Sequence, residues 1–181
     1  MIYSPAEDSY MLADALKREL SILIKKNKDL KFLEIGCGSG VILEGAEKAG
    51  VKRENILGTD INGEAVKHCK KIGFNCIKSD LFEKVKGAFD VIVFNPPYLP
   101  EDKREPKTSR RETTGGKKGS EIIIRFLKQA EKHLAKNGKI FLVTSSLAEE
   151  LEFKKLGFKA QIVEMEKMFF EKIFVWSISV V

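Results

Sequence analysis

Four consecutive residues, Asn95-Pro96-Pro97-Tyr98, follow an apolar run and carry groups that could bind a nitrogen nucleophile. Neither proline has a backbone N–H, so this tip offers carbonyl acceptors and few donors. Asn95 Oδ1 and the Pro96 carbonyl can accept the two hydrogens of a planar –NH2 group while Tyr98 stacks on its plane. An ordinary strand-ending turn is the alternative, because Asn, Pro and aromatic residues are common in turns.

A second group of residues predicts a nucleotide-type cofactor. Gly36, Gly38 and Gly40 follow a predicted strand over residues 31–35 and precede a predicted helix. Glycines there let a ligand approach the backbone, and the free N–H groups of the helix start favour an anionic group. The spacing is G-x-G-x-G, whereas a dinucleotide loop reads G-x-G-x-x-G, so we expect S-adenosylmethionine rather than NAD.

Two acidic residues follow the next predicted strands at the same edge of the sheet. Asp60 lies 20 residues after Gly40, where a carboxylate can accept both hydroxyls of a ribose. Asp80 is placed to accept from an adenine amino group. The alternative for Asp80 is that it only caps a turn. Ile61 and Leu81, which follow these carboxylates, are assigned to the same cofactor pocket.

The amino-terminal segment predicts a helix with polar residues at its start. Ser4 is the expected N-cap, Pro5 the first helical residue and Glu7 the capping-box partner. Apolar residues then repeat at helical spacing: Leu12, Ala15, Leu16, Leu20, Leu23 and Ile24. Glu7, Asp8 and Ser9 are more polar than capping requires, so we also assign them to the ligand pocket.

The remaining pattern alternates strands with helices, which indicates an α/β fold. We expect a seven-stranded, mostly parallel Rossmann-like sheet with helices on both faces and a C-terminal antiparallel hairpin. The predicted strands are residues 31–35, 56–59, 74–78, 90–94, 139–144, 158–163 and 169–179. The predicted helices after the first one extend to about residue 48 and over residues 62–71, 121–135 and 145–156.

Composition places limits on the class of protein. With 181 residues and 43% hydrophobic content, the chain is expected to form one domain over residues 1–181. It has no apolar run of membrane-spanning length and no signal-peptide pattern, so we expect a cytoplasmic protein without membrane contact. Its cysteines and histidines lack the spacing of a ligand set, so neither a metal site nor a disulfide framework is expected: Cys37, Cys69, Cys76, His68 and His133.

A long polar segment, residues 99–120, follows the Asn95 tip. It contains seven basic and four acidic side chains and no aromatic residue. A loop of this length in a domain is usually functional or disordered. Its position favours a substrate lid or docking surface, and disorder in the absence of substrate is the alternative.

Taken together, these motifs resemble those of a known family. Glu34-x-Gly36-x-Gly38-x-Gly40, Asp60, Asp80 and the Asn95 tip are similar to class I S-adenosylmethionine-dependent methyltransferases that modify amino or amide nitrogens. Residues 4–9 and Gly115-Gly116-x-x-Gly119-x-Glu121 resemble the HemK-type protein-glutamine N5-methyltransferases, in particular their short archaeal and eukaryotic branch.

The resemblance implies a class I methyltransferase fold, S-adenosyl-L-methionine as cofactor and a role for Glu34 in the cofactor site. It implies Asn95, Pro96 and Tyr98 as catalytic residues and, with Pro97, as substrate-binding residues. It also implies a glutamine of a peptide-chain release factor as substrate and a small zinc-binding activator protein as partner.

Two other functions use similar features. A methyltransferase acting on an amino group of an RNA or DNA base needs the same tip, and a basic loop suits phosphates. A catalytically silent S-adenosylmethionine-binding subunit would need only the cofactor residues. The net charge of +6 is compatible with RNA, ribosomal or acidic-protein partners and does not decide between them.

Overall fold

A computed structural model describes residues 5–101, 113–168 and 170–181 of the chain. Its strands are β1 (Phe32–Ile35), β2 (Ile56–Asp60), β3 (Asn75–Lys78), β4 (Phe89–Phe94), β5 (Leu99–Pro100), β6 (Thr114–Gly116), β7 (Leu134–Ser145), β8 (Phe158–Met168) and β9 (Glu171–Val180). Its helices are α1 (Glu7–Lys26), α2 (Val41–Lys48), α3 (Gly63–Lys71) and α4 (Glu121–Ala130). Short 3-10 helices occupy Arg53–Asn55, Glu131–His133 and Phe153–Leu156.

Seven strands form one sheet in the order β3-β2-β1-β4-β7-β9-β8. The pairs from β3 to β7 are parallel, whereas β9 is antiparallel to both β7 and β8. The predicted mostly parallel sheet with a terminal antiparallel hairpin is therefore confirmed.

The apolar residues of the central strands are buried on both faces of this sheet. Within β1, Phe32 packs in a cluster with side chains of α1, α2 and α3, whereas Leu33 packs in a second cluster with side chains of α4. Neighbouring residues of a strand point to opposite faces, which is why a strand covered by helices on both sides is apolar throughout. No helix in the described ranges has both the length and the apolar character needed to cross a membrane.

The first helix begins later than the sequence pattern predicted. Ala6 is the N-cap of α1 and makes no side-chain capping bond, so Pro5 precedes the helix instead of starting it. Ser4 lies outside the described residues. The predicted apolar face is confirmed where it meets the core, since Leu12 and Leu20 are fully buried.

One predicted helix is shorter than expected, and another does not form as an α-helix. The helix predicted over residues 121–135 ends at Ala130, because Leu134 already pairs with Phe89 as the first residue of β7. The helix predicted over residues 145–156 is replaced by turns and the short 3-10 helix. Ser145 Oγ accepts the backbone N–H of Leu147 at 3.0 Å, a local bond that competes with helix formation.

The ends of the polar segment after the Asn95 tip pair with each other. Strands β5 and β6 form a separate two-stranded parallel sheet. Residues 102–112, which are half of the predicted lid, lie outside the described part of the chain.

Candidate active site

The register of the parallel strands brings the predicted site residues to one edge of the sheet. Ile35, the last residue of β1, pairs with Thr59 on one side and Phe94 on the other. The residues that follow, Gly36, Asp60 and the Asn95 tip, therefore leave the sheet side by side. This carboxyl edge is where ligands bind in open α/β sheets.

Asn95 is held by residues from the first turn of α1. Its Nδ2 donates to Asp8 Oδ2 at 3.2 Å and to Ser9 Oγ at 3.3 Å, and the hydroxyl of Tyr98 donates to the same Asp8 oxygen at 3.1 Å. Because a carboxylate only accepts hydrogen bonds, the Asn95 nitrogen must face Asp8. Asp8 and Ser9 are buried at this contact, whereas Glu7 is exposed.

Because the Asn95 side-chain nitrogen faces Asp8, the side-chain oxygen of the same amide faces away from Asp8. Asn95 Oδ1 is buried and has no hydrogen-bond partner among the described residues. A buried unsatisfied acceptor costs about 1–3 kcal/mol, so its persistence needs a physical reason. A ligand N–H that displaces the atoms covering this oxygen would satisfy it, as the predicted –NH2 site requires.

Gly115 and Gly119 of the second family motif pack against the backbone of the Asn95 tip. A Cβ on Gly115 would lie 2.5 Å from the Pro97 carbonyl oxygen, and one on Gly119 would lie 2.4 Å from that of Tyr98. Both distances are too short for any side chain, so only glycine lets this segment pack against the tip. Sequence reasoning noted these glycines as a family motif but did not place them at the site.

Asp60 shapes the glycine loop in addition to its predicted role. Its Oδ2 accepts from the backbone N–H of Gly38 at 2.9 Å and its Oδ1 from that of Asn62 at 2.7 Å. Burial raises the pKa of the Asp60 carboxyl, and these two N–H groups oppose the change. Each oxygen retains a lone pair that a ribose hydroxyl could use.

The loop itself adopts a backbone that favours glycine. Gly36, Gly38 and Gly40 have φ of 72°, 46° and 83°. All three values lie in the left-handed region, which explains the G-x-G-x-G spacing. The loop thus presents backbone atoms, without side chains, to any ligand at this edge.

Glu34 lies in β1 just before this loop and is almost fully buried. Burial is the main cause that raises the pKa of its carboxyl well above the usual range, followed by the nearby Cys69 and Asp60. Its Oε2 has no hydrogen-bond partner in the described structure. Because the raised pKa favours the protonated carboxyl, this oxygen is a polar atom that could donate a hydrogen bond to a ligand or accept one.

Asp80 has a partner that the sequence did not reveal. The backbone N–H of Ser79 donates to the Asp60 carbonyl at 3.0 Å, which places the ends of β2 and β3 side by side. The Asp80 carboxylate forms an ion pair with Arg125 of α4. An adenine amino group at Asp80 would therefore share the carboxylate with this guanidinium.

Leu81 and Ile61, the apolar residues predicted beside these carboxylates, differ in exposure. Leu81 is buried and has a φ of 46°, unusual for a residue with a side chain. Ile61 is 65% exposed, and such a side chain can provide an apolar surface for a flat ring.

Comparison with known proteins decides the family. Residues 9–170 match the methyltransferase small domain family. The chain is 42% identical to a putative protein N5-glutamine methyltransferase of Methanocaldococcus jannaschii, over 96% of this chain and 89% of the relative. The chain belongs to the methyltransferase small domain family. Within it, the predicted resemblance to HemK-type N5-glutamine methyltransferases is confirmed.

Two further relatives share most of the chain. The catalytic subunit mtq2 of the eRF1 methyltransferase of Schizosaccharomyces pombe is 30% identical, over 78% of this chain and 71% of the length of mtq2. The Mtq2 structure from the E. cuniculi Mtq2-Trm112 complex superposes with a TM-score of 0.73 at 26% identity, covering 99% of both chains. The class I methyltransferase fold and its cofactor, S-adenosylmethionine, agree with the expectations from sequence.

We predict that Asp60→Ala weakens S-adenosylmethionine binding. The change removes a charged acceptor for the ribose and releases the backbone N–H groups of Gly38 and Asn62. A loss of about 1.5–3 kcal/mol corresponds to a roughly 10- to 150-fold higher Kd, measured by titration calorimetry. Asp29→Ala is the matched control, because Asp29 is exposed and forms an ion pair with Lys52. Unchanged affinity in Asp60→Ala would remove Asp60 from the cofactor site.

We also predict that Asp8→Asn lowers turnover about 10- to 100-fold, since a charge-assisted hydrogen bond contributes about 1.5–3 kcal/mol. The new amide allows Asn95 to rotate and turn its nitrogen toward the substrate. Cofactor affinity should stay within about twofold if Asp8 acts through Asn95 rather than on the cofactor. Asp14→Asn, an exposed change on the same helix, is the control. A parallel fall in cofactor affinity would instead place Asp8 in the cofactor site.

Proposed function

We propose that this protein transfers a methyl group to the side-chain amide nitrogen of a glutamine in a peptide-chain release factor. The buried, unpartnered Oδ1 of Asn95, held in place by Asp8, is the observation that carries this proposal. It provides an acceptor for an –NH2 group in a family whose named relatives include N5-glutamine and eRF1 methyltransferases.

Activation of the substrate is the chemical problem to be solved. An amide nitrogen is a poor nucleophile because its lone pair is delocalised, as the rotation barrier of about 18–20 kcal/mol in a peptide bond shows. S-adenosylmethionine, when bound, supplies an electrophilic methyl group. Asn95 Oδ1 and the Pro96 carbonyl accept the two amide hydrogens, which orients the nitrogen lone pair. Correct orientation can contribute about 7–11 kcal/mol in favourable cases.

The same residues stabilise charge that develops on the substrate nitrogen. As the new N–C bond forms, the nitrogen becomes positive and its hydrogens become stronger donors to Asn95 and Pro96. The Asp8 carboxylate lies behind Asn95, so its negative charge polarises the amide and strengthens Oδ1 as an acceptor. Asn95 cannot take up a proton at neutral pH, so the proton released from nitrogen leaves to water.

Tyr98 completes the proposed substrate clamp. Its hydroxyl is bonded to Asp8, and its ring packs against both core clusters of the sheet. The ring is thereby restrained at the tip, where it can cover the planar amide. We place Pro97 at the same substrate surface.

The cofactor would be held by the loop from Gly36 to Gly40 with Glu34, Asp60 and Ile61. Asp80 and Leu81 would contact its base. Glu7 and Ser9 remain assigned to the edge of this pocket, next to Asp8. We further propose that the chain acts as one domain in the cytoplasm, where translation factors are used.

A small zinc-binding activator is proposed as partner. Support comes from the Mtq2-Trm112 complex, in which the similar chain is bound to a second protein. The edge strand β3, with exposed Asn75 and Lys78, and the edge strand β8 are both free to pair within the described structure. A partner could therefore bind without disturbing the carboxyl edge.

We predict that Asn95→Ala lowers turnover by at least ~100-fold, as loss of one preorganised contact to a developing charge can do. Cofactor affinity should be nearly unchanged, because the oxygen acts on the substrate amide. Initial rates and calorimetry on the same preparation measure the two effects. Asn27→Ala, at the exposed C-terminal end of α1, is the control. Turnover that survives the Asn95 change would contradict the clamp.

We predict that incubation with a release factor, an activator and cofactor adds one methyl group to the glutamine of the Gly-Gly-Gln loop. A slender glutamine can reach Asn95 from an exposed loop, whereas a base must first leave its stack. Mass spectrometry of the digested factor locates the methyl group. A Gln→Asn factor is the control, because its shorter side chain would not reach the clamp. Transfer of labelled methyl to RNA instead would overturn the choice of substrate.

A further inference from the structure

Three cysteines that are far apart in sequence meet beneath the glycine loop. Cys37 lies in the loop, Cys69 in α3 and Cys76 in β3, and their Sγ atoms all lie within 4.8 Å of one another. All three side chains are buried. The chain contains three cysteines in total, so every thiol that it has is in this cluster.

Gly58 provides the space for these sulfurs. It lies in β2, next to the strand β3 that carries Cys76, and a Cβ at this position would lie 2.8 Å from Cys76 Sγ and 3.2 Å from Cys37 Cβ. Its φ is not in the left-handed region, so backbone conformation does not require glycine here. The absence of a side chain is what allows the thiols to converge.

The geometry suits metal coordination. Three sulfurs around one ion with metal–sulfur bonds of about 2.3 Å are separated by about 4 Å, so the observed spacing needs only a small contraction. Thiolates select soft ions over hard ions such as magnesium, so a set of three thiols favours a soft ion. We propose that Cys37, Cys69 and Cys76 form a buried site for one soft, thiophilic metal ion.

Binding exchanges protons for the ion. Each thiol gives up its S–H proton to solvent as its sulfur forms a bond to the metal, and no sulfur is oxidised. The ion then links the loop, α3 and β3, three segments that the sequence spacing did not connect. Because the site is buried, the ion enters only when these segments separate locally, and binding is expected to be slow.

Cys37 belongs to the glycine loop, and Cys69 contacts the same loop from α3. Cys69 Sγ lies 3.6 Å from the Gly38 carbonyl oxygen and donates to it. It would also lie 3.2 Å from a Cβ at Gly40. A metal-bound thiolate cannot donate, so the Gly38 carbonyl loses its partner and the loop is disturbed. We therefore expect bound metal to weaken cofactor binding about fivefold, and cofactor to weaken metal binding equally. This coupling rests on the proposed cofactor site, whereas the metal site does not.

The test uses the reduced full-length protein with Cd(II) as the probe and Mg(II) as the hard-ion control. We expect a thiolate-to-cadmium absorption band in the ultraviolet that saturates at one ion per chain. The thermal unfolding midpoint should rise with Cd(II), since an ion that prefers the folded state stabilises it. Absence of the band, or a midpoint that falls because the ion prefers the unfolded chain, would overturn the proposal.

Two kinds of variant distinguish a preformed three-thiol site from thiols that bind the ion independently of one another. Cys76→Ala removes one ligand, and Gly58→Ala keeps all three thiols but fills the space between them. Each should weaken Cd(II) binding at least about tenfold while circular dichroism shows the folded protein; Cys69→Ala serves if either fails to fold. Cd(II) affinity unchanged in folded variants would refute the site. If Cd(II) binds as expected but cofactor affinity does not change, the site stands and only its coupling to the proposed cofactor site fails.

Discussion

Parallel pairing of β1 with β2 and β4 is the constraint on which the site depends. The register of Ile35 with Thr59 and Phe94 fixes where each strand ends, so the glycine loop, Asp60 and Asn95 leave the sheet side by side. Parallel strands are joined by crossovers, which is why residues so distant in sequence are neighbours here. Any slip in this register would shift the strand ends relative to one another and so separate the site residues.

The contact between α1 and the Asn95 tip adds what the sheet alone cannot supply. A strand end fixes the position of Asn95 but not the direction of its amide, and the Asp8 carboxylate sets that direction. The same carboxylate holds Tyr98, so one buried charge orients two of the proposed clamp residues. In a low-dielectric environment such a charge acts strongly on its neighbours, which makes the start of α1 part of the site.

Local sequence patterns predicted which strands and helices form better than they predicted where each one begins and ends. The apolar runs of β1 and β4 and the glycine spacing could be read from sequence because burial on both faces and left-handed backbone restrict the residue types. The helix predicted over residues 145–156 does not form, because the Ser145 hydroxyl accepts the Leu147 N–H in a turn. The hydrogen bond between Asp8 and Asn95, 87 residues apart, could not be predicted from the residues around either one. Arg125 beside Asp80, and the meeting of the cysteines, likewise have no local signal.

The glycine loop is held in place by two side chains that lie outside it, the Asp60 carboxyl and the Cys69 thiol. Its three left-handed glycines give the chain little stiffness of its own. Asp60 of β2 accepts a hydrogen bond from the Gly38 N–H, and Cys69 of α3 donates one to the Gly38 carbonyl. Both backbone polar groups of Gly38 are therefore bonded to side chains. A ligand that uses Asp60 and an ion that uses Cys69 would therefore act on the same few atoms, without any change elsewhere in the sheet.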